Sequence, residues 1–466
     1  MKRPSKKSCA NCRRLEALVE ALRAEVASLR EQVAAMQKNS STSSKPPSSD
    51  IVKPKPPASD DSVKRSIGGQ PGHAKHEREL FPAEQVTHFA THVLDSCPCC
   101  GGGVRRNGNL DMVVQQVDIT RPPQTIEQHT RPQFWCDHCQ RGFRAALPSH
   151  IERGGLAGPE LTALIAFMKG VCHASFSTIR TFLQDVMDVR ISRGQLSKII
   201  GKVSEALAKP YEELEALLPG EAALNVDETG HHENGKLMWT WCFRAELYTL
   251  YHIDPHRSAD VLMDTLGKEF AGVLGCDYFS AYRRYLKECD VTLQFCLAHL
   301  IRDVKFLTTL PDARDRQYGE ELRLALKNLF EVFHQRDRLS KKQFRSSLDS
   351  ARLRVMRVGL SGPDTKHGQN MVKRFREHGE SYFTFITEAG VEPTNNLAEQ
   401  AIRFVVIDRH ITQGTRSEAG RRFCERIWTT IATCVQQGRS VWHFVREAVS
   451  NWFAGRPAPS LLPAPG

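Results

Sequence analysis

"AALNVDE" at residues 222–228, "NGKLMWTWCFR" at 234–244 and "LYTLYHID" at 247–254 are three apolar runs in close succession. Their length and their β-branched and aromatic content read as strands. The second run opens on Asn234-Gly235, the strongest short hairpin signal. Downstream, "SADVLMDTLGKEF" (258–270) is helical, "AGVLGCD" (271–277) is a buried strand, and "YFSAYRRYL" (278–286) is helical. "VTLQFCLAHLIRDVKFL" (291–307) reads as strand then helix. Residues 300–385 are mostly helical and highly charged, and a closing helix starts within "PTNNLAEQAIR" (393–403). Three strands, helix, strand, helix, strand, a helical insertion and a closing helix predict a mixed α/β domain of the ribonuclease-H-like type over 221–466.

Asp227 follows one apolar run and Asp277 another, which puts both acids at the C-terminal ends of strands. If those strands are neighbours, the two carboxylates leave the same edge of the sheet and can share a cation. Taken singly, each reads more readily as a strand-end cap; the pair is what points to a cation. Glu399 can supply a third oxygen from a helix crossing that edge, although a lone glutamate on a helix is usually a solvated residue. Asn395 and Asn396 precede it, either to cap the helix or to orient ligands and substrate. Three hard oxygen donors suit Mg²⁺ or Mn²⁺, and a pair of such ions suits in-line phosphoryl displacement. Glu228 adjoins Asp227 but points to the other strand face. Asp254, Glu392 and Glu425 are weaker competitors. The run "RFVVIDRHITQGTRSEAGRR" (403–422) offers arginines either to DNA or to solvent.

Cys97 and Cys100, then Cys136 and Cys139, form two C-x2-C pairs 35 residues apart. Two such knuckles can present four thiolates to one Zn²⁺, a closed and therefore structural site. Cys99 is a surplus neighbour. Cys9 and Cys12 form a third pair without a partner pair, and Cys296-x2-His299 cannot close a zinc site alone, so it reads as a buried structural pair.

At the start, Leu15, Leu22, Leu29 and Met36 recur every seven residues, with Val19, Val26 and Val33 interleaved. This pattern favours a parallel two-stranded coiled coil over residues 1–38, hence a homo-oligomer. Residues 39–62 hold 8 Ser and 5 Pro among 24 residues, the composition of a flexible linker, which continues as a basic segment to 76. Residues 77–150 carry strand-like runs ("VVQQVDIT", "QTIEQHT", "PQFWC") between the cysteine pairs and are expected to form a zinc-ribbon-like module. Residues 151–220 hold short helices that fit either a helix-turn-helix module or an ordinary helical subdomain.

The chain of 466 residues carries a net charge of +11, of which residues 1–75 contribute +8 (15 Lys/Arg against 7 Asp/Glu). Such a basic arm suits a phosphate backbone. No apolar run is long enough for a membrane helix, and "MKRPSKKSCANCRR" lacks a signal-peptide core, so an intracellular protein is expected.

Taken together, these parts resemble the bacterial insertion-sequence-66 type of DDE transposase, and in the same order. The zipper and serine-proline linker, "RSIGGQPGH", the "CPCCGG" and "FWCDHC" pairs, "NVDETG", "GCDYFSAY", "CLAHLIRD" and "PTNNLAEQAIR" each match a motif of that family. Cys276 and Tyr278 around Asp277 depart from its "DGY"-like pattern. The resemblance implies that Asp227, Asp277 and Glu399 are the catalytic metal ligands, supported by Asn395, Asn396 and Arg403. It also implies cleavage at element ends and strand transfer into double-stranded target DNA. Small accessory proteins and a cytoplasmic, nucleoid-associated location are implied too. The rival expectation is a non-catalytic, zinc-containing DNA-binding regulator with a degenerate ribonuclease-H-like domain.

Overall fold

The computed structural model describes residues 10–39, 42, 80–105, 113–117, 124–138 and 140–463. The glycine-rich box at 65–73, Cys9 and Cys139 lie outside them. The chain divides into two compact units, one of residues 55–128 and one of residues 1–54 with 129–466.

Among its described residues the smaller unit has little regular structure. A short turn of helix covers Ala83–Gln85, and Gln115 brackets Phe81 with hydrogen bonds to its N–H and C=O (2.7 and 3.0 Å). Cys97 exchanges backbone bonds with Gly101 and Gly102, and Gly101 takes φ +73°, a turn that only glycine adopts freely. Residues 113–117 and 124–130, expected as strands, have no strand structure.

In the larger unit, α1 (Ala10–Met36) is one continuous helix whose heptad positions are exposed. The hairpin β1 (Gln133–Cys136) and β2 (Arg141–Arg144) follows. Then come α2 (Ser149–Gly154), α3 (Pro159–Gly170), α4 (Phe176–Met187), α5 (Arg193–Ala206) and α6 (Ala208–Leu217). Pro159 opens α3, and Ser192 caps α5 in a capping box with Gln195. The α/β part runs β3 (Ala223–Glu233), β4 (Lys236–Arg244), β5 (Thr249–Asp254), α7 (Ala259–Leu266), β6 (Val273–Cys276), α8 (Ser280–Cys289), β7 (Thr292–Phe295) and α9 (Leu297–Leu307). The charged insertion is α10 (Ala313–Phe333), α11 (Lys341–Leu360), α12 (Lys366–His378) and α13 (Thr384–Thr387), and α14 (Asn396–Thr412), α15 (Glu418–Gln436) and α16 (Val441–Phe453) close the chain.

The five-stranded sheet has the order β5-β4-β3-β6-β7. β3, β4 and β5 pair antiparallel, and β6 and β7 continue in parallel from β3. Asn234 (φ 49°) and Gly235 (φ 80°) turn the first hairpin, the two left-handed residues a type I′ turn requires. Strand β3 does not end on its acids. It runs through them to Glu233, because the hairpin supplies backbone partners beyond the point where the apolar pattern stops.

Helix α15 seals the free edge of the sheet. The N–H groups of Thr249, Tyr251 and Ile253 on β5 donate to Thr433 Oγ1 (3.2 Å), Thr429 Oγ1 (3.0 Å) and Glu425 Oε1 (2.7 Å). Two strand residues advance about 6.6 Å and four helical residues about 6 Å, so an antiparallel helix presents one acceptor to each outward N–H. Glu425 therefore has a structural partner. The helices of 151–220 share this core: α3 and α5 lie on α15 and α16, and Arg426 donates to the carbonyl and hydroxyl of Ser204 (3.0 and 3.1 Å). No described helix is long and apolar enough to cross a membrane.

Candidate active site

The last pair in the parallel register between β3 and β6 is Asn225 with Gly275. Asp227 and Asp277 stand two residues beyond it on both strands, and so leave the sheet side by side. Each carboxylate is held by a nearby backbone N–H: Glu228 donates to Asp227 Oδ1 (3.0 Å) and Phe279 to Asp277 Oδ1 (2.8 Å). Alternation along β3 buries Leu224, Val226 and Glu228 on one face and turns Asn225 and Asp227 to the other.

Helix α14 lies along that second face. Asn395, fully buried at its start, accepts from Asn225 Nδ2 (3.0 Å) and donates to the Val226 carbonyl (2.7 Å). It makes no side-chain cap on the helix; it fastens the helix to β3 instead. At the other end Asn234 donates to the Thr415 carbonyl and Thr415 to the His232 carbonyl, both at 2.8 Å. The 17 helical residues span about 25 Å and the seven strand steps between the fastenings about 23 Å, so both ends fit at once. Glu399 follows Asn395 by one turn on the same side of the helix. Asn396 is exposed, as is Arg403 one turn beyond Glu399.

This fastening explains Gly275. A Cβ there would fall 2.6 Å from Asn225 Nδ2, the atom that reaches Asn395. Gly275→Ala is therefore expected to cost about 1–3 kcal/mol of stability by overpacking. It should also weaken any activity that depends on Glu399, and a urea titration read beside the activity assay checks both.

The acids are electrostatically joined. Burial first, then the charges of Glu228, Asp277 and Glu399, push the Asp227 carboxyl well above the usual range. Burial likewise raises Asp277, opposed by the Phe279 N–H and the charges of Arg257 and Arg374. Excess negative charge from hard oxygen donors is the environment a divalent cation fits. Carboxyls raised on folding contribute stability below their unfolded pKa, and that contribution is lost as pH rises through the folded values. The ion-free protein should accordingly fall short of its full stability at neutral pH. Mg²⁺ at a hundredfold excess over its dissociation constant should stabilise the protein by about 2.7 kcal/mol at pH 8, and should raise the melting temperature less at pH 5. Equal increments at the two pH values would contradict this.

Several neighbours carry no sequence signal. Arg257 donates to Glu228 Oε1 through Nε and Nη2 (2.9 and 2.7 Å), and its guanidinium lies over the rings of Trp239 and Phe279 (4.6 and 4.0 Å). The Tyr282 hydroxyl donates to Glu228 Oε2. Glu228 thus anchors the opposite face, as its alternation predicts. From the insertion, Arg374 on α12 pairs with Asp303 (2.7 Å) and lies over Tyr278 (3.9 Å).

On the far side of Glu399 stands α9. Arg302 Nη2 is 3.2 Å and His299 Nδ1 3.5 Å from Glu399 Oε1. Cys296, His299 and Glu399 offer donor atoms that all lie within 4.8 Å of one another. Burial, then the charges of Arg302 and Arg374, push the His299 imidazole down to about 3.

The other candidates lie apart from this cluster. Asp254 accepts the His256 N–H (2.7 Å), and Glu392 is exposed. Within 403–422, Arg409 bonds Gly230 and Thr229, Arg421 pairs with Glu233 and Arg422 with Glu425. These three brace the fold, while Arg403 and Arg416 remain exposed. At the cysteine pairs, the N–H groups of Cys100 and Cys99 and the Cys100 thiol lower the Cys97 thiol pKa, as donors turned toward a knuckle sulfur should. Cys136 ends β1.

The family model described as Transposase IS66 family matches residues 154–422, and a family of unknown function, DUF6444, matches 1–79. Two uncharacterized proteins of Sinorhizobium fredii (strain NBRC 101917 / NGR234) are similar. One, y4hP, is 24% identical over 381 residues, covering 73% of this chain and 67% of its own. The other, y4qI, is 22% identical over 430 residues, covering 86% and 78%.

Proposed function

The chain belongs to the IS66 transposase family, whose model covers more than half of it, and from that premise we propose that it is a metal-dependent DNA transposase acting through Asp227, Asp277 and Glu399. The observation that carries this reading is the shared geometry of the three acids. Two neighbouring parallel strands deliver the aspartates, and the Asn395 fastening docks α14 on the same face of β3, with Glu399 one helical turn beyond Asn395 and its charge felt by Asp227. The strand order β5-β4-β3-β6-β7, antiparallel then parallel, supports a ribonuclease-H-like assignment for this domain.

In this proposal the three carboxylates hold two Mg²⁺ or Mn²⁺ ions, which when bound activate the attacking oxygen and stabilise the leaving one. The chain's own residues set the stage. Backbone N–H groups fix one oxygen of each aspartate and leave the other free. Arg302 balances the charge of Glu399, and exposed Asn396 and Arg403 meet substrate phosphates. Water would attack at the element ends to release 3′-hydroxyls, which would then attack target DNA.

The remaining proposals concern assembly. The exposed heptad stripe of α1 supports dimerisation through a coiled coil, since large apolar residues seldom line up in water unpartnered. The spacing of the two C-x2-C pairs supports Zn²⁺ as a structural cofactor. The net charge of +11 supports double-stranded DNA as partner. Small accessory proteins of the same element and a nucleoid-associated, cytoplasmic location belong to the same reading.

The test uses full-length protein, Mg²⁺ and DNA bearing the repeats that flank its own coding region. Cleaved ends and joined products are expected. Binding without cleavage would instead indicate a DNA-binding regulator, and cleavage without joining a nuclease.

A further inference from the structure

Cys296 occupies the N-cap of α9 and His299 its third helical position. N-cap and third-position side chains face one another across the first turn, as in a capping box, so a C-x2-H spacing here converges two donors. The Cys296 sulfur accepts the N–H of Asn395 (3.2 Å); burial raises the thiol pKa, and this contact opposes the rise. His299 is buried, and its Nδ1 has no hydrogen-bond partner, yet it points toward Glu399. An orphaned buried imidazole nitrogen beside a sulfur and a carboxylate calls for an occupant.

We infer that Cys296 Sγ, His299 Nδ1 and the Glu399 carboxylate form a site for one borderline-soft dication of the zinc class. Sulfur, nitrogen and oxygen at zinc bond lengths of about 2.0–2.3 Å lie about 3.3–3.7 Å apart around a tetrahedron. The three donors, all within 4.8 Å of one another, therefore close on an ion with a shift of about 1 Å. Three protein ligands leave a fourth position for water. Arg302, which now holds Glu399 at 3.2 Å, releases it and turns to solvent. The donor set discriminates against Mg²⁺, because sulfur and imidazole are poor ligands for that hard ion.

One consequence rests on the proposed role of Glu399: an ion held here draws that carboxylate toward α9 and away from the two aspartates, which makes the site inhibitory. The binding itself does not depend on that role.

Titration of the full-length protein with Co²⁺, followed by absorbance and by metal content, tests the inference. The wild type is expected to take up one Co²⁺ more per chain than Cys296→Ser or His299→Asn. The sulfur-to-cobalt band of that extra ion should vanish in Cys296→Ser. The four knuckle cysteines are common to all three proteins and cancel in the difference. Equal uptake and equal spectra in all three would overturn the inference. Should Cys296→Ser fail to fold, His299→Asn decides by the same count. Asp227→Asn is expected to keep the extra ion. A wild type that binds it but cleaves no DNA would remove the catalytic reading and leave this one standing.

Discussion

Asp227→Asn should slow Mg²⁺-dependent strand cleavage by roughly three orders of magnitude while DNA affinity stays within about twofold. The substitution is nearly isosteric, and the amide oxygen can still accept the Glu228 N–H that Asp227 accepts at 3.0 Å. What it removes is one negative oxygen donor from the site where the ions would bind. Metal-based charge stabilisation is worth several kcal/mol, and each 1.36 kcal/mol is tenfold in rate. The same change relieves burial and the repulsion from Glu228, Asp277 and Glu399 that raise the Asp227 carboxyl. The ion-free variant should therefore melt no lower than the wild type at neutral pH, and Mg²⁺ should stabilise it less. Single-turnover cleavage, a gel-shift titration and thermal unfolding read the three quantities. A variant cleaving at more than a tenth of the wild-type rate would end the assignment. Asp254→Asn, whose carboxylate serves the His256 N–H, is the matched control and should cleave normally.

Glu425→Ala should be the largest of the stability losses, about 2–4 kcal/mol in urea unfolding. Glu425 is fully buried; its Oε1 accepts the Ile253 N–H at 2.7 Å and its Oε2 pairs with Arg422 at 3.1 Å. Truncation orphans a buried backbone donor on the sheet's edge strand and opens a cavity beside it. Arg422 is partly exposed and recovers water, which keeps the loss below that of a fully buried ion pair. Glu425→Gln retains the acceptor and should cost within about 1 kcal/mol. If the two substitutions are equally destabilising, the edge ladder contributes through volume rather than through its hydrogen bond. Thr429→Val should show a smaller loss, since it removes one rung and keeps the shape.

The two acids of the first strand illustrate how far sequence reasoning reaches. Alternation along β3 forces Asp227 and Glu228 onto opposite faces, and the structure agrees, with Glu228 committed to Arg257 and Tyr282. The apolar pattern ends β3 at the acids while the strand runs on to Glu233, because apolar pattern reports burial, whereas a strand continues wherever a partner supplies hydrogen bonds. Asn395 reads from sequence either as a helix cap, the local habit of asparagine before a helix, or as a residue that orients ligands. Its side chain goes instead to Asn225 and Val226, about 170 positions away in the chain. The arginines of 403–422 read as facing either DNA or solvent, yet Arg409, Arg421 and Arg422 pair with partners on β3 and α15.

By itself the sequence determined the order of strands and helices in the α/β part, the Asn-Gly hairpin, the heptad stripe, the basic charge and the acids worth testing. All of these are written in local period, composition and short spacing. Only the tertiary structure decided which acids stand together, that Glu425 seals an edge, that the helices of 151–220 share the core of the α/β part, and that Cys296 and His299 face Glu399. Those facts depend on parallel strand register and on helices docked across gaps of about a hundred residues or more. Side chains that meet at such distances leave no periodic trace in the chain that carries them.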